Sequence, residues 1–338
     1  MRIVTVGIMG AGRIGKMHAE NLAKMENVRI KAIADPYVDV DVENWAKSIG
    51  IQNIIRNVED LFEDNDIEAL IICSPTNTHP QMILRAAENG KHVFCEKPIA
   101  YDLDAAKKAV QATEKHKVKL EIGFNRRFDP RFALLHKKVL DGQTGQLNYI
   151  KITTRDSVWP NVDYLKISGG VYFDMMIHDF DIARYVTNSE ITEVYARGAV
   201  RIEPKINEFN DVDTSIVSLE FADGSLGLID LCRYSGYGFD SRVEVYGRDN
   251  TFYSNDCADK NTLYANDMLG LYKLKTEFAS FIERFKESYF IQVKGFIDTL
   301  LKDRDVAVSG KDGLQAMIIA KAAQESLKQN KPVKINSI

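Results

Sequence analysis

The stretch VGIMGAGRIGKMHAENL, residues 6–22, runs from an apolar strand-like segment through a glycine-rich turn into a helix-like segment. Gly10, Gly12 and Gly15 allow a tight turn, close backbone approach to a pyrophosphate and close packing of the helix on the strand. The start of the helix adds N–H groups and the positive end of a dipole. Asp35 ends the next strand-like run, where a carboxylate accepts hydrogen bonds from an adenosine ribose and repels a 2′-phosphate. Together these features predict NAD rather than NADP as the cofactor.

Around this motif, the first 120 or so residues alternate short apolar runs with helix-like stretches. The strand-like runs are IVTVGI, VRIKAIA, ALIICS, HVFC and VKLEIGF. Such alternation is typical of a parallel, doubly wound sheet that is covered on both faces. We therefore predict an α/β dinucleotide-binding (Rossmann) domain over residues 1–122.

The pattern changes after Gly123. The runs LNYIKITTR, TEVYARGAV, TSIVSLEF, LGLIDLCR and RVEVYG are strand-like, and ADGS and GRDN are turns of the hairpin kind. Helical patterns return around residues 172–186 and from about Glu277 to Lys302. Residues 123–338 are predicted to form an α+β domain with a mostly antiparallel open sheet, which binds the substrate and carries self-association.

Composition excludes several classes of protein. The 338 residues carry a formal net charge of −4, which gives no electrostatic reason to bind nucleic acid or an anionic membrane. The N-terminus lacks the pattern of a signal peptide, and no apolar run has the length of a membrane span. Four cysteines, Cys73, Cys95, Cys232 and Cys257, lack the spacing of a disulfide framework or a metal site. We expect a cytoplasmic protein without a metal.

Polar residues follow two of the predicted strands of the first domain. In an open α/β sheet the ligand lies outside the carboxyl ends of the strands. LIICSPTNTH ends in a polar loop, and HVFCEKP ends in Lys97, which Pro98 restricts in conformation. With the glycine loop, these ends supply the candidates for cofactor binding: Gly10, Gly12, Arg13, Ile14, Gly15, Asp35, Ser74, Thr76, Asn77, His79, Glu96 and Lys97.

A second group of candidates lies on the helix-like stretch FDMMIHDFDIARY. Asp174 and His178 are four residues apart and share a helix face, which Asp181 and Tyr185 extend. One interpretation is a local hydrogen bond with a structural role, and another is a metal site of Asp174, His178 and Asp181. The third, which Lys97 favours, is general acid–base catalysis, because the pKa of a histidine lies near working pH.

GxGxxG, SPTNTH, CEKP and GGVYFDMMIHDFDIARY together resemble the Gfo/Idh/MocA oxidoreductase family over essentially the whole chain. The resemblance implies that Lys97, Asp174 and His178 are catalytic. Within the family it is greatest to enzymes that oxidise inositols, which implies NAD-dependent conversion of myo-inositol to 2-keto-myo-inositol. A sugar or anhydrosugar dehydrogenase, or a regulator that senses a dinucleotide without catalysis, are the alternatives.

Weaker candidates surround the proposed substrate. Asn125 and Arg126 or Arg127 could donate to substrate hydroxyls, although an interdomain salt bridge would explain the arginines equally well. The family resemblance suggests Asp156 as a contact for substrate hydroxyls, and Tyr237 lies in an aromatic, glycine-rich stretch. The predicted substrate-binding residues are Asn125, Arg127, Asp156 and Tyr237.

The strand SLGLIDLCR is apolar on both of its sides. Leu226 and Leu228 fall on one side, and Ile229 and Leu231 on the other. Helices can cover only one face of the sheet, so the other would expose apolar side chains. We therefore expect a homo-oligomer, and the family resemblance suggests a homotetramer.

Overall fold

The computed structural model describes residues 2–254 and 280–338. Cys257 and the predicted helix start near Glu277 lie outside the described residues. The chain divides into two compact units, of which the first comprises Met1–Asn125 and Tyr289–Gln315 and the second Arg126–Ser288 and Ala316–Ile338. Within the described ranges, no helix has the length and apolar character that crossing a membrane requires.

The first unit is built on a parallel sheet of six strands in the order β3-β2-β1-β4-β5-β6. Every residue of its first strand is buried, as expected for a parallel sheet that is covered on both faces. This strand order is that of a doubly wound dinucleotide-binding fold, whose ligand crevice opens where the order reverses, between β1 and β4. The strands are β1 (Val4–Met9), β2 (Val28–Ala34), β3 (Ile54–Ile55), β4 (Ala69–Ile72), β5 (His92–Cys95) and β6 (Leu120–Ile122).

Helices connect these strands, and acidic side chains cap two of them. Asp39 accepts a hydrogen bond from the Val42 N–H, and Asp102 accepts one from the Ala105 N–H, which satisfies donors that a helix start leaves open. Pro80 lies at the start of one helix, as predicted. The helices are α1 (Arg13–Leu22), α2 (Val40–Ser48), α3 (Glu59–Glu63), α4 (His79–Glu88) and α5 (Leu103–Lys115).

A late segment of the chain completes the core of the first unit. Val293, Phe296, Ile297 and Leu300 are buried in the same cluster as the β1 residues. This differs from the predicted division into residues 1–122 and 123–338, because the returning segment was assigned to the second domain. The apolar face of a helix shows that it packs against something, but not which core it joins.

The second unit is built on a mixed sheet of seven strands in the order β12-β11-β7-β10-β9-β8-β13. All of its strand pairs are antiparallel except that between β7 and β10, which is parallel. The strands are β7 (Leu147–Arg155), β8 (Ile191–Ala199), β9 (Thr214–Phe221), β10 (Leu226–Cys232), β11 (Asp240–Gly247), β12 (Thr251–Ser254) and β13 (Val333–Lys334).

Side chains of this sheet alternate between a buried and an open face. Ile229 and Leu231 are fully buried, whereas Leu226 on the other face is 55% exposed, as the strand pattern predicted. A π-helical turn at Tyr172–Met176 leads directly into the α-helix that begins at Ile177. The remaining helices are α6 (Pro130–Leu140), α7 (Val162–Ile167), α8 (Ile177–Thr187), α9 (Phe281–Arg284), α10 (Lys286–Lys302) and α11 (Gly310–Gln329).

Candidate functional site

The glycine loop has the geometry of a pyrophosphate cradle. Gly10 has a φ of +99°, and a Cβ there would lie 2.7 Å from the Cys73 carbonyl oxygen. A Cβ at Gly15 would lie 2.0 Å from the Gly10 oxygen, so both glycines are required by packing. A Cβ at Gly12 would meet nothing within 4 Å, and no side chain caps the start of α1. Open space in front of uncapped helix N–H groups fits a phosphate ligand.

Asp35 connects this loop to the end of β2. One carboxylate oxygen accepts a hydrogen bond from the Ala11 N–H at 2.7 Å, and the other accepts from the Tyr37 N–H at 2.8 Å. Each carboxylate oxygen has a second lone pair, so the half-buried side chain can still accept from ribose hydroxyls. The loop and this acid together fit NAD.

The loop that follows β4 is held by His79. This side chain is 1% exposed, and its Nδ1 and Nε2 lie 2.8 Å from the carbonyl oxygens of Pro98 and Ser74. Burial lowers the pKa of His79, against the raising effect of the two carbonyls. His79 was predicted to bind the cofactor, and in the structure both of its ring nitrogens join the two loops. Ser74, Thr76 and Asn77 are at least partly exposed.

Lys97 occupies a corner that the first unit holds rigidly. The Lys97–Pro98 peptide bond is cis. Glu96 was predicted to bind the cofactor, but one of its carboxylate oxygens accepts from the Lys97 N–H at 3.3 Å, and the other from His18 Nε2 at 2.8 Å. A Cβ at Gly123 would lie 2.8 Å from this carboxylate. Glu96 and the fully buried His18 therefore fix the backbone of Lys97.

Asp174 lies in the π-helical turn, and His178 lies in the first turn of α8. Both side chains are half-buried, whereas Phe173, Met176 and Ile177 are buried. The helical stretch predicted around residues 172–186 begins with this π-helical turn, which the sequence did not reveal because its apolar pattern does not differ visibly from that of an α-helix. π turns inside helices are frequent at functional sites.

Two side chains that sequence reasoning missed hold the Asp174 carboxylate. Tyr164, on α7, donates its hydroxyl to one oxygen at 2.5 Å. Arg233, which follows β10, donates from Nη1 to the other oxygen at 3.0 Å. Arg233 is 1% exposed and also binds Asp211. Its partners are distant in sequence, so no local pattern pointed to it.

The two arginines that follow the first domain are occupied by buried carboxylates. Arg126 donates to Asp179, and Arg127 donates from Nε and Nη2 to the two oxygens of Asp181 at 2.9 and 2.6 Å. The structure thus favours the salt bridge over substrate donation for Arg127, although the ion pair lies within the second unit and not between domains. Since Arg127 binds both oxygens of Asp181, the metal interpretation loses its third ligand.

Because β7 and β10 run parallel, their carboxyl ends lie at the same edge of the sheet, and further candidate residues lie there. Asp156 follows β7, and its backbone binds the Cys232 carbonyl and the Ser235 N–H. Tyr237 is 38% exposed and donates its hydroxyl to the buried Asp240 at 2.8 Å. Arg233 joins Asp174 to the same edge. In contrast, Asn125 is 2% exposed and is placed in the first unit.

Comparisons with known proteins agree with this architecture. Residues 4–124 match the Gfo/Idh/MocA model for an oxidoreductase family with an NAD-binding Rossmann fold, and residues 136–335 match its C-terminal α/β domain. An uncharacterized oxidoreductase of Bacillus subtilis, YrbE, is 43% identical over 98% of this chain and 96% of its own length. The myo-inositol 2-dehydrogenase of Thermotoga maritima is 36% identical over 98% and 99% of the two chains.

Solved structures show the same relationship. The scyllo-inositol dehydrogenase of Lactobacillus casei, solved with NAD(H) and scyllo-inositol, superposes with a TM-score of 0.88 at 28% identity, over 99% of this chain and all of that one. The predicted α/β domain with a mostly antiparallel second sheet is confirmed, as is the NAD-binding character of the first unit. The chain is a member of the Gfo/Idh/MocA oxidoreductase family, with an NAD-binding Rossmann domain and a C-terminal α/β domain, and is an oxidoreductase that acts on CH–OH groups.

Proposed function

We propose that this protein oxidises one secondary alcohol of an uncharged cyclic polyol with NAD, and that the substrate is myo-inositol, which becomes 2-keto-myo-inositol. Relatives that share nearly the whole chain are named for myo-inositol or scyllo-inositol. The alternatives within the family are a sugar or an anhydrosugar.

The observation that supports an uncharged ring as substrate is that three arginines form ion pairs with carboxylates of the protein. Arg126, Arg127 and Arg233 are the cations that would favour a carboxylate or phosphate on the substrate. Each of them is bound to a carboxylate inside the second unit. The other groups at the sheet edge are two acids and a phenol, Asp156, Asp174 and Tyr237, and the two carboxylates accept hydrogen bonds from hydroxyls and repel anions.

In the proposed reaction, the alcohol carbon loses a hydride and its oxygen loses a proton. A ring nitrogen of His178 takes that proton as the general base. Lys97 donates a hydrogen bond to the reacting oxygen and stabilises its developing negative charge, while Asp174 balances the charge of these two groups. The three groups act together, so the proton is assigned to the set and not to one residue.

Bound NAD supplies the hydride acceptor. Gly10, Gly12 and Gly15, with the neighbouring Arg13 and Ile14, would hold its pyrophosphate at the start of α1. Asp35 would accept from the adenosine ribose. Ser74, Thr76 and Asn77 would border the cofactor at the end of β4.

The substrate proposal is tested by the values of kcat/KM for myo-inositol, scyllo-inositol, glucose and levoglucosan. We expect myo-inositol to rank first. Sites that hydrogen-bond a substrate hydroxyl reject analogues without it by roughly 10⁴-fold, so deoxy-inositols that lack a contacted hydroxyl should be very poor substrates.

Two outcomes of this panel would contradict the proposal separately. If myo-inositol ranks last, the substrate is wrong but the reaction stands. The same panel with NADP tests Asp35, since equal rates with both cofactors would remove its proposed role at the ribose.

We propose further that the open face of the second sheet binds a second copy of this chain, within a homotetramer. Leu226 lies opposite Tyr149, which lies opposite Tyr246, and Ile216 on the same sheet is 50% exposed. This face also carries charges of both signs, such as the pair of Lys151 and Glu244. A face with apolar side chains and both charges is complementary to itself.

Light scattering at micromolar concentration should therefore give the mass of an oligomer. Leu226→Asp should reduce that mass, because two copies of a carboxylate would be buried without partners. Val40→Asp is the control, since Val40 is 68% exposed in the first unit. A monomeric mass for the unmodified protein would refute the assembly.

A further inference from the structure

The helix that carries Asp174 and His178 is anchored at its start by Asp211. One oxygen of this carboxylate accepts a hydrogen bond from the Val171 N–H at 2.9 Å. Gly170, with a φ of +83°, allows the approach, since a Cβ there would lie 3.1 Å from the same oxygen. The preceding carbonyl, that of Gly169, accepts from Gln324 at 3.1 Å. The helix start is therefore fixed by side chains from two other parts of the second unit.

Arg233 connects this anchor to Asp174. Its Nη1 donates to Asp174 and its Nη2 donates to Asp211, both at 3.0 Å. Its own backbone N–H binds the Asp213 carbonyl at 2.8 Å, next to the end of β10. Because a guanidinium is planar and its donors have fixed directions, one side chain sets the separation and the orientation of both carboxylates.

The two carboxylates of this cluster, Asp174 and Asp211, require the positive charge of Arg233 between them. Burial alone would lower the pKa of Arg233, but Asp174 and Asp211 offset that effect, and the pKa is raised overall. A neutral residue at 233 would leave two carboxylates facing each other in a largely buried place. Like charges at such sites repel strongly, so the Asp174 side chain would turn away from Asp211.

Tyr164 binds the same carboxylate from the opposite side. Its hydroxyl donates to the Asp174 oxygen that Arg233 does not bind, and the tyrosine is 46% exposed. Asp174 thus has a buried cation on one oxygen and a more exposed neutral donor on the other. Of these two donors, the phenol is the one that solvent reaches.

We propose that Arg233 is the positioning residue for Asp174: with Asp211 it fixes the helix start and aims the Asp174 carboxylate, and Tyr164 holds the oxygen that turns toward the substrate. This inference rests on the proposed function, in which Asp174 assists catalysis. Arg233 itself does not touch the reacting atoms.

The test compares Arg233→Met, Arg233→Lys and Tyr164→Phe with the unmodified protein. Misplacement of a catalytic group by about 1 Å costs roughly 100-fold in rate, so Arg233→Met should lower kcat by about that factor. Its dissociation constant for NAD, which the first unit binds, should stay within about threefold. Arg233→Lys keeps the positive charge but not the planar guanidinium, so its kcat should lie between those of Arg233→Met and the unmodified protein. The kcat of Tyr164→Phe should be about tenfold lower than that of the unmodified protein.

Arg284→Met is the matched control. Arg284 is also buried in the second unit and forms an ion pair with Asp129, a carboxylate outside the proposed site. Its loss should lower the melting temperature and leave kcat of the folded protein nearly unchanged. If Arg233→Met does not fold, Arg233→Lys decides, and an unchanged kcat for it would overturn the proposal.

A double mutant separates positioning from a general structural role. In an Asp174→Asn background, Arg233→Met should lower kcat by less than about threefold, because the group it positions is already gone. A full loss in that background would overturn the proposal.

If the unmodified protein oxidises none of the polyols, the proposed function fails, and amide hydrogen exchange still tests the positioning. Exchange of the peptide 170–178 should then be faster in Arg233→Met than in Arg284→Met. Equal exchange in the two variants would refute the anchoring of the helix.

Discussion

Lys97→Ala, Asp174→Asn and His178→Ala should each lower kcat for the polyol by roughly 10²- to 10⁴-fold, the usual contribution of general acid–base assistance. The three losses should not add, because the groups act as one unit and the removal of any member disables the others. Binding of NAD should weaken far less than turnover, since the glycine loop and Asp35 make separate contacts.

Steady-state kinetics and NAD titration on the same preparations measure this difference. Lys107→Ala and His116→Ala are the matched controls, because these residues lie on or next to α5 and are not part of the proposed site. Near-normal turnover in His178→Ala would refute the proton transfer. Additive losses in the double mutants would refute the coupling of the three groups.

Glu121→Gln should stabilise the protein at neutral and alkaline pH. Glu121 lies in β6, is 1% exposed, and burial raises its pKa to about 8, although the Ala307 N–H acts in the opposite direction. From its ordinary pKa of 4.5 up to about 8, the unfolded chain releases this proton while the folded protein keeps it. The free energy of unfolding of the unmodified protein therefore falls across that range.

Near pH 7 the difference amounts to about 3 kcal/mol, reduced by any hydrogen bond that the glutamine amide fails to form. Urea unfolding of both proteins at several values between about pH 4 and pH 9 measures it. The two should be similar at the acid end, and the gap should widen as the pH rises. A gap independent of pH would contradict the raised pKa of Glu121. Glu114→Gln, on exposed helix surface, is the control.

The parts of the fold that were predictable from sequence are those with short-range causes. β1, β5, β7 and β9 are apolar or alternating runs whose side chains show which faces are buried. The glycine loop was predictable because its spacing is a local pattern: Gly10 and Gly15 leave no room for a Cβ, and Gly12 leaves open space before the helix. β3 and β13 are two residues long, too short for any periodicity, and the parallel pairing of β7 with β10 depends on contacts far apart in sequence.

The same distinction applies to the candidate site. Asp174 and His178 stand out because a helix brings neighbours in sequence to one face. Arg233 and Tyr164 do not, because an arginine in a strand-end loop and a tyrosine in a short helix have many other uses. The sequence position of His79 in the loop does not show that its ring is buried against two carbonyls, because one of them belongs to a loop 19 residues away.

The return of residues 289–315 to the first unit affects how the chain can fold during synthesis. When only the first 125 residues have been synthesised, all six parallel strands are present. Val293, Phe296 and Leu300, which complete their core, have not yet been made. An apolar surface of the nascent first unit therefore stays uncovered while residues 126–288, about half of the chain, are translated. A gene fragment cut after codon 125 encodes an incomplete core, so the unit can be expressed alone only by joining its two segments.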